Sequence, residues 1–320
     1  MVWPLLCHRG VIDCGYLVRL WRPSRRLRSR VLVIFNPAAG ARRRRRFERV
    51  AGALAEAGIR FTVADTAAPG HAEALAREAV ASGERVVVAA GGDGTIAEVV
   101  NGIAGSDARL GVIPIGTANV FAHELGLPFG AAAIAAALKR GGARLVIPGS
   151  ARFADGRARL FVQMLGVGLD AAVVASLNGA LKRRIGKGAY VVETLRQIAA
   201  WPFPRLRLML EDRAVEGAQV IATKGRFYGG RFVLAPEATP DAVGLSACVF
   251  GRGGWGSALR AGIALPLGLL PGLPGLIRQR VAALEIAAPE GLPVQADGDL
   301  IGTTPVVVTD AATRIAVVAA

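Results

Sequence analysis

Gly91-Gly92-Asp93-Gly94-Thr95 is the stretch of this 320-residue chain whose chemistry is plainest. Three glycines let a backbone come close to a bulky anion, and a helix starting behind them turns its unpaired N–H groups and positive dipole end on the same place. An aspartate in that setting suits a cation, and hard Mg2+ favours one or two carboxylates together with phosphate oxygens. The same residues also describe a plain tight turn before a helix capped by Asp93. Two further small-residue loops, Asn36-Pro37-Ala38-Ala39-Gly40 and Pro114-Ile115-Gly116-Thr117-Ala118-Asn119, follow runs of buried-strand type. Three such turns at one sheet edge point to a phosphate site more strongly than one. Neither GxxxxGK[ST] nor a well-placed GxGxxG occurs. Asp297-Gly298-Asp299 sets two carboxylates one glycine apart, which suits a base that takes a proton from a hydroxyl and equally suits a hairpin turn. His71 and His123 have no carboxylate placed by the pattern, and His71 reads as a helix-start residue.

The elements that must position these loops are legible from periodicity. Val31 to Phe35 is a buried-strand run, and Phe47, Val50, Ala51, Leu54 and Gly58 share one face of a following helix. Strands are expected at 60–64, 85–90 and 110–113, with helices at 71–82 and 96–103 between them. Strands alternating with helices imply a mainly parallel sheet, and ligands in such sheets sit beyond the carboxyl ends of the strands. After about Gly141 short β-rich runs take over: 159–165, 205–210, 218–223, 245–250, 281–287 and 304–309. Helices are expected there only at 177–200 and 255–270. The expected organisation is a basic leader over 1–29, an α/β nucleotide-binding domain over 30–145 and an antiparallel β domain over 146–320, its last strand able to return to the first domain.

Composition narrows the function classes. The chain carries 39 Lys plus Arg against 24 Asp plus Glu, a formal charge of +15, yet it is 52% hydrophobic and so can bury a core. That excludes a disordered polycation and directs the surplus at nucleic acid, a membrane surface or phosphates. With 4 Trp, 3 Tyr and 11 Phe and no helix-turn-helix or RNA-recognition signature, a nucleic-acid-binding protein is the weaker reading. Cys7, Cys14 and Cys248 form no CxxC pair, which fits a reducing cytoplasmic setting. The charge-free stretch 261–277 is broken by Pro266, Pro271 and Pro274, against a spanning helix. The Arg42–Arg46 run is either a solvated helix start or a contact to phosphate or anionic lipid.

In order along the chain, Asn36-Pro37 with Gly40, GGDGT with Glu98, Asn101 and Gly102, then Pro114, Gly116-Thr117, Asn119, Phe121-Ala122, Leu125-Gly126 and Pro128 resemble the signature of the diacylglycerol kinase catalytic domain. Its superfamily includes bacterial diacylglycerol and phosphatidylglycerol kinases, sphingosine kinases and ceramide kinases. The similarity continues through 161–170, Pro236, Ala238, Asp241, Gly244-Leu245 and Asp297-Gly298-Asp299. GGDGT alone would not distinguish it from NAD kinases or phosphofructokinase-like enzymes, and a soluble NAD kinase-like enzyme is the second reading.

The resemblance implies an α/β fold of two domains, a NAD kinase/phosphofructokinase-like nucleotide domain and a β-sandwich, with ATP-dependent phosphorylation of a lipid hydroxyl in the cleft between them. By the same resemblance Gly92, Asp93, Gly94, Thr95, Ile96, Ala97 and Glu98 line the ATP phosphates, with Asn36, Thr66, Thr117 and Asn119 nearby. Asp93 acts through Mg2+. Asp297 is the favoured base, with Asp299 as the alternative. Many bacterial relatives hold a structural magnesium in an Asp-Asp-Gly-x-Leu-like loop, which here reads Asp241-Ala242-Val243-Gly244-Leu245, leaving Asp241 as its ligand. Gln163 stands where asparagine is common. The implied partners are an anionic membrane surface and a lipid substrate at the inner face of the membrane, without nucleic acid; a homodimer is compatible with the pattern.

Overall fold

A computed structural model of the chain describes residues 31–37, 41–176 and 187–319. The basic leader, Ala38-Ala39-Gly40 and residues 177–186 of the expected 177–200 helix lie outside the described residues. The first domain runs β1 (Val31–Phe35), α1 (Ala41–Glu56), β2 (Thr62–Asp65), α2 (His71–Ala81), β3 (Val86–Gly91), α3 (Asp93–Ile103), β4 (Arg109–Pro114), α4 (Val120–Glu124), α5 (Ala131–Arg140) and β5 (Ala143–Val146). β1, β3 and β4 are almost wholly buried, as expected of central parallel strands covered on both faces. One face packs Leu32, Ile34, Val87 and Leu110 under α2 and α3, and the other packs Val33, Phe35, Val88 and Ile113 against α1 and α5.

The chain then crosses into the second domain with β6 (Gly149–Phe153), β7 (Ala158–Phe161), β8 (Met164–Val167), α6 (Leu169–Ser176), α7 (Lys187–Ala200), β9 (Leu206–Leu210), β10 (Arg213–Gly217) and β11 (Gln219–Thr223). A short hairpin, β12 (Phe227–Tyr228) with β13 (Phe232–Val233), precedes β14 (Leu245–Phe250) and α8 (Trp255–Ala264). The last strands are β15 (Leu276–Val281), β16 (Ala283–Ala288), β17 (Pro293–Ala296), β18 (Asp299–Thr303), β19 (Val306–Asp310) and β20 (Ile315–Val318). α8 stops before Pro266, whose ring and missing N–H cannot continue a helix.

Two six-stranded antiparallel sheets, ordered β10-β9-β16-β19-β6-β7 and β15-β14-β11-β8-β17-β18, enclose a single apolar core that includes Phe161, Leu208, Val249 and Val294. β20 leaves this sandwich and inserts in the first domain's sheet, giving the order β2-β1-β3-β4-β20-β5, parallel to β4 and antiparallel to β5. The chain therefore passes between the domains twice, at 146–149 and 310–315. Ala311 N–H donates to Pro148 O across the two crossings, 2.8 Å.

Side chains bind the domains together as well. Asn101 on α3 donates to Leu160 O at 2.9 Å and accepts Leu160 N–H at 3.0 Å, clamping α3 on β7. Glu124, buried at the end of α4, accepts Arg226 N–H, Arg226 Nε–H and Phe227 N–H. Losing the Asn101 clamp leaves both peptide groups of Leu160 short of a partner, at about 1–3 kcal/mol. Asn101→Ala is expected to lower the urea midpoint accordingly, and an unchanged midpoint would show that the clamp does not hold the domains.

Candidate active site

The three small-residue loops meet at the carboxyl edge of the parallel sheet. α3 begins at Asp93, three residues earlier than periodicity suggests, so Asp93, Gly94 and Thr95 form its first turn behind an extended Gly92. The close approach is literal: a Cβ on Gly116 would sit 2.3 Å from the Gly92 Cα, and one on Gly91 would sit 2.4 Å from the Thr95 hydroxyl. Asn36 Nδ2 donates to that hydroxyl at 3.2 Å, fixing the first loop to the second. Asn119, in left-handed conformation, donates to Gly116 O at 3.1 Å and closes the third loop.

The Asp93 carboxylate reaches sideways and accepts Phe121 N–H at 3.0 Å, capping the short α4 from outside it. Burial raises its pKa, while the Phe121 and Val120 amides pull it down. Glu98 accepts Gly70 N–H at 2.8 Å and Ala72 N–H at 3.0 Å, so its carboxylate caps α2 and holds the Thr66–Gly70 loop to the cleft wall. Ile96 faces the apolar core with no exposure, and among the expected phosphate-lining residues it and Asn119 are absent from the wall. Their roles are packing and loop closure.

Asp297 and Asp299 have separate surroundings. β17 and β18 pair Ala296 with Asp299, leaving Asp297-Gly298 as a two-residue turn with φ of 51° and 89°, the primed geometry of an Asp-Gly hairpin. The Asp-Gly hairpin is therefore present, with both carboxylates beside it. The Asp297 carboxylate is buried and accepts N–H groups from Val162, Gln163 and Met164 at 2.7, 2.9 and 3.0 Å. Three β7–β8 amides thus hold it, although it also lines the cavity described below. Asp299 is exposed and lies against the phosphate loop: a Cβ on Gly94 would fall 2.4 Å from its Oδ2.

These loops open on one cavity of about 1870 Å3. Its wall includes Asn36, Thr66, Gly92–Thr95, Ala97, Glu98, Thr117 and Asp299. Arg43, in the first turn of α1, reaches the same wall and donates to the Thr117 hydroxyl, while Arg44 and Arg46 stack over Phe35 and Phe129. A cation at a helix N-terminus opposes the dipole, so Arg43 gains from an anion nearby. The five-arginine run signalled a basic turn but not which arginine faces inward. Elsewhere in the lining Asp170 accepts Tyr228 O–H and Gln295 Nε2–H, and burial raises both its pKa and that of Tyr228. Apolar lining comes from Leu169, Val173, Phe203, Ile221, Phe250 and Leu270. His71 Nδ1 accepts Ala67 N–H at the start of α2 and His123 stacks on Phe129, neither in a catalytic pose.

Asp241 lies outside the cavity, held by Thr239 and by Arg144 at 2.9 Å, which keep its carboxyl below the usual range. Among the described residues no group of three His, Cys, Asp or Glu side chains is placed to hold a metal. A nucleotide-borne Mg2+ needs less, and Asp93 beside the bare backbone of Gly92 and Gly94 suits one that brings its own phosphate ligands.

A diacylglycerol kinase catalytic domain model matches residues 30–150, and a model for the YegS C-terminal NAD kinase beta sandwich-like domain matches residues 163–319. Among curated relatives, the "Probable lipid kinase YegS-like" protein of Pseudomonas aeruginosa is 33% identical over 254 residues, 76% of this chain and 80% of that protein. The diacylglycerol kinase of Bacillus subtilis is 30% identical over 218 residues, 66% of this chain and 70% of that one. A diacylglycerol kinase-like crystal structure from Bacillus anthracis superposes with a TM-score of 0.71 at 22% identity, covering 91% of this chain and 97% of that one, and so shares the fold. Fold and site define a kinase of the two-domain diacylglycerol kinase class. The chain belongs to the YegS-like lipid kinase family.

Burial, together with the Asp93 charge, pushes the Asp297 carboxyl up to about 7 against the pull of its three amides. Because the folded group keeps its proton to higher pH than in the unfolded chain, its contribution to stability is full below about pH 4 and is lost as pH rises through about 7. Asn tolerates the left-handed backbone and carries no titration. The stability advantage of wild type over Asp297→Asn is therefore expected to shrink between pH 5 and pH 8, read from urea midpoints. An advantage that grows over this range would contradict the assignment.

Proposed function

We propose that this chain uses ATP and Mg2+ to phosphorylate the hydroxyl of a membrane lipid, of diacylglycerol, phosphatidylglycerol or sphingoid type, at the inner membrane face. The observation that carries this reading is that one cavity is lined both by the phosphate loops with Asp299 and by a set of apolar side chains. A polar small-molecule acceptor has no use for Leu169, Val173, Phe203 and Phe250, whereas an acyl chain gains about 0.8 kcal/mol per buried CH2 there.

In this reading the amides at the start of α3 and Arg43 receive the phosphates. A Mg2+ carried in with the nucleotide would be held beside Asp93 and would supply neutralisation of the charge that develops in transfer. Asp299 takes the proton from the lipid hydroxyl as its oxygen attacks the γ-phosphorus, the bond to the bridging oxygen breaks, and ADP departs. Asp297 positions the hairpin that presents Asp299.

The apolar mouth supports contact with a bilayer. α8 and the segment after it expose Trp255, Leu259, Ile263, Leu267 and Leu269 by 70, 43, 56, 64 and 61%, with Arg252 and Arg260 at the rim of the cavity. Apolar insertion rimmed by cations fits anionic lipid. Among the described residues no helix is long and apolar enough to cross a membrane.

With labelled ATP, Mg2+ and mixed-lipid vesicles, phosphate is expected to pass to lipid, and Asp299→Asn is expected to lower kcat by at least about 100-fold with little change in thermal midpoint. Asp299→Asn with normal turnover would remove Asp299 as the base; no transfer to any lipid by wild type would remove the proposal. Trp255→Glu with Leu267→Glu is expected to weaken co-sedimentation with phosphatidylglycerol vesicles by on the order of tenfold while leaving turnover of a water-soluble short-chain acceptor intact. Unchanged sedimentation would place membrane contact elsewhere.

A further inference from the structure

The loop 239–245, where the family resemblance implies a structural magnesium, is filled by a side chain from elsewhere. Lys224, immediately after β11, is fully buried, and its Nζ donates to Ala242 O at 2.9 Å, Gly244 O at 2.9 Å and Asp310 Oδ1 at 2.6 Å. All three ammonium hydrogens are thereby used. The second Asp310 oxygen accepts Gly244 N–H at 2.6 Å, so the carboxylate grips both the cation and the loop. Two carbonyls and one carboxylate around a buried positive charge make up the donor set a hard divalent ion would take. The residues around them reinforce the substitution. Arg280 donates to Val243 O, the carbonyl between the two held by Lys224, and Arg144 holds Asp241 outside the cage.

We propose that the Lys224 ammonium takes the place of the structural divalent cation in this chain, so that the 239–245 loop is locked without metal. The loop also bears on the domain junction: Pro240 O accepts Ile147 N–H at 2.8 Å on one crossing, and Asp310 begins the other. Lys224 therefore secures both crossings from one point. A buried ammonium paired with Asp310 leaves no net charge to attract Mg2+, and Ala242 supplies no carboxylate to compete with it.

The test reads metal content and thermal midpoint of the full chain without nucleotide, and so stands apart from catalysis. Wild type after gel filtration is expected to carry well under one Mg2+ or Ca2+ per chain by elemental analysis, and its midpoint is expected to be the same in EDTA and in millimolar Mg2+. Lys224→Ala opens the cage and leaves Asp310 facing two carbonyls; its midpoint is expected to fall by at least about 5 °C and to recover in part in millimolar Mg2+ or Ca2+. One tightly held divalent ion per wild-type chain, with a midpoint that drops in EDTA, overturns the proposal. So does a fall in Lys224→Ala that neither ion relieves. Should Lys224→Ala not fold, the wild-type metal content and EDTA response decide the matter alone.

Discussion

Two loops of the α/β domain touch through bare backbone where Gly92 faces Gly116, and the rest of the site depends on that contact. Amide groups can be offered to phosphate only where no side chain covers them; a Cβ at Gly116 would part the loops, and one at Gly92 would press on the Gly116 Cα at 3.3 Å. The hydrogen bonds around the contact serve it: Asn36 to Thr95, Asn119 to Gly116 O, and Asp93 to Phe121 N–H each fix one loop against another. Residues that resemble ligands in a linear motif turn out to divide into those that present backbone and those that hold backbone in place. Glu98 is of the second kind, since its two oxygens are occupied by the N-terminus of α2.

The second wall obeys the same economy of backbone approach. Asp299 can come over the phosphate loop because Gly94 lacks a side chain, and it is aimed there because Asp297 fastens the hairpin to three amides of the β7–β8 segment. Three amides hold the inner carboxylate, and the outer one is exposed beside the phosphate loop. Burial raises the pKa of the inner group while the outer one stays in contact with solvent, so two aspartates one glycine apart acquire different surroundings.

Much of this was legible in the residues. Alternating strands and helices gave the parallel sheet, and the Gly-rich turns gave its ligand-binding edge, because buried-strand runs and loop glycines are local signals. The difference between Asp297 and Asp299 was not, since it rests on a turn conformation and on amides more than 130 positions away. Arg43 was hidden in a run of five arginines whose members differ only by their angle around α1. Lys224 gave no signal at all: a lone lysine after a strand discloses its burial only when the loop at 242–244 and Asp310 fold around it.

β20 carries a consequence for synthesis. A ribosome delivers β4 and β5 long before residues 315–318, yet these two strands are joined only through β20. The nascent first domain thus waits with an open slot in its sheet while more than 160 further residues are translated. During that interval the edge of β4 is an apolar strand without its neighbour, a surface on which chaperones or stray β-segments can act. The sandwich, whose strands all fall between 149 and 310, can close first. The sheet that carries the phosphate loops thus reaches its full six strands only once residues 315–318 have been made.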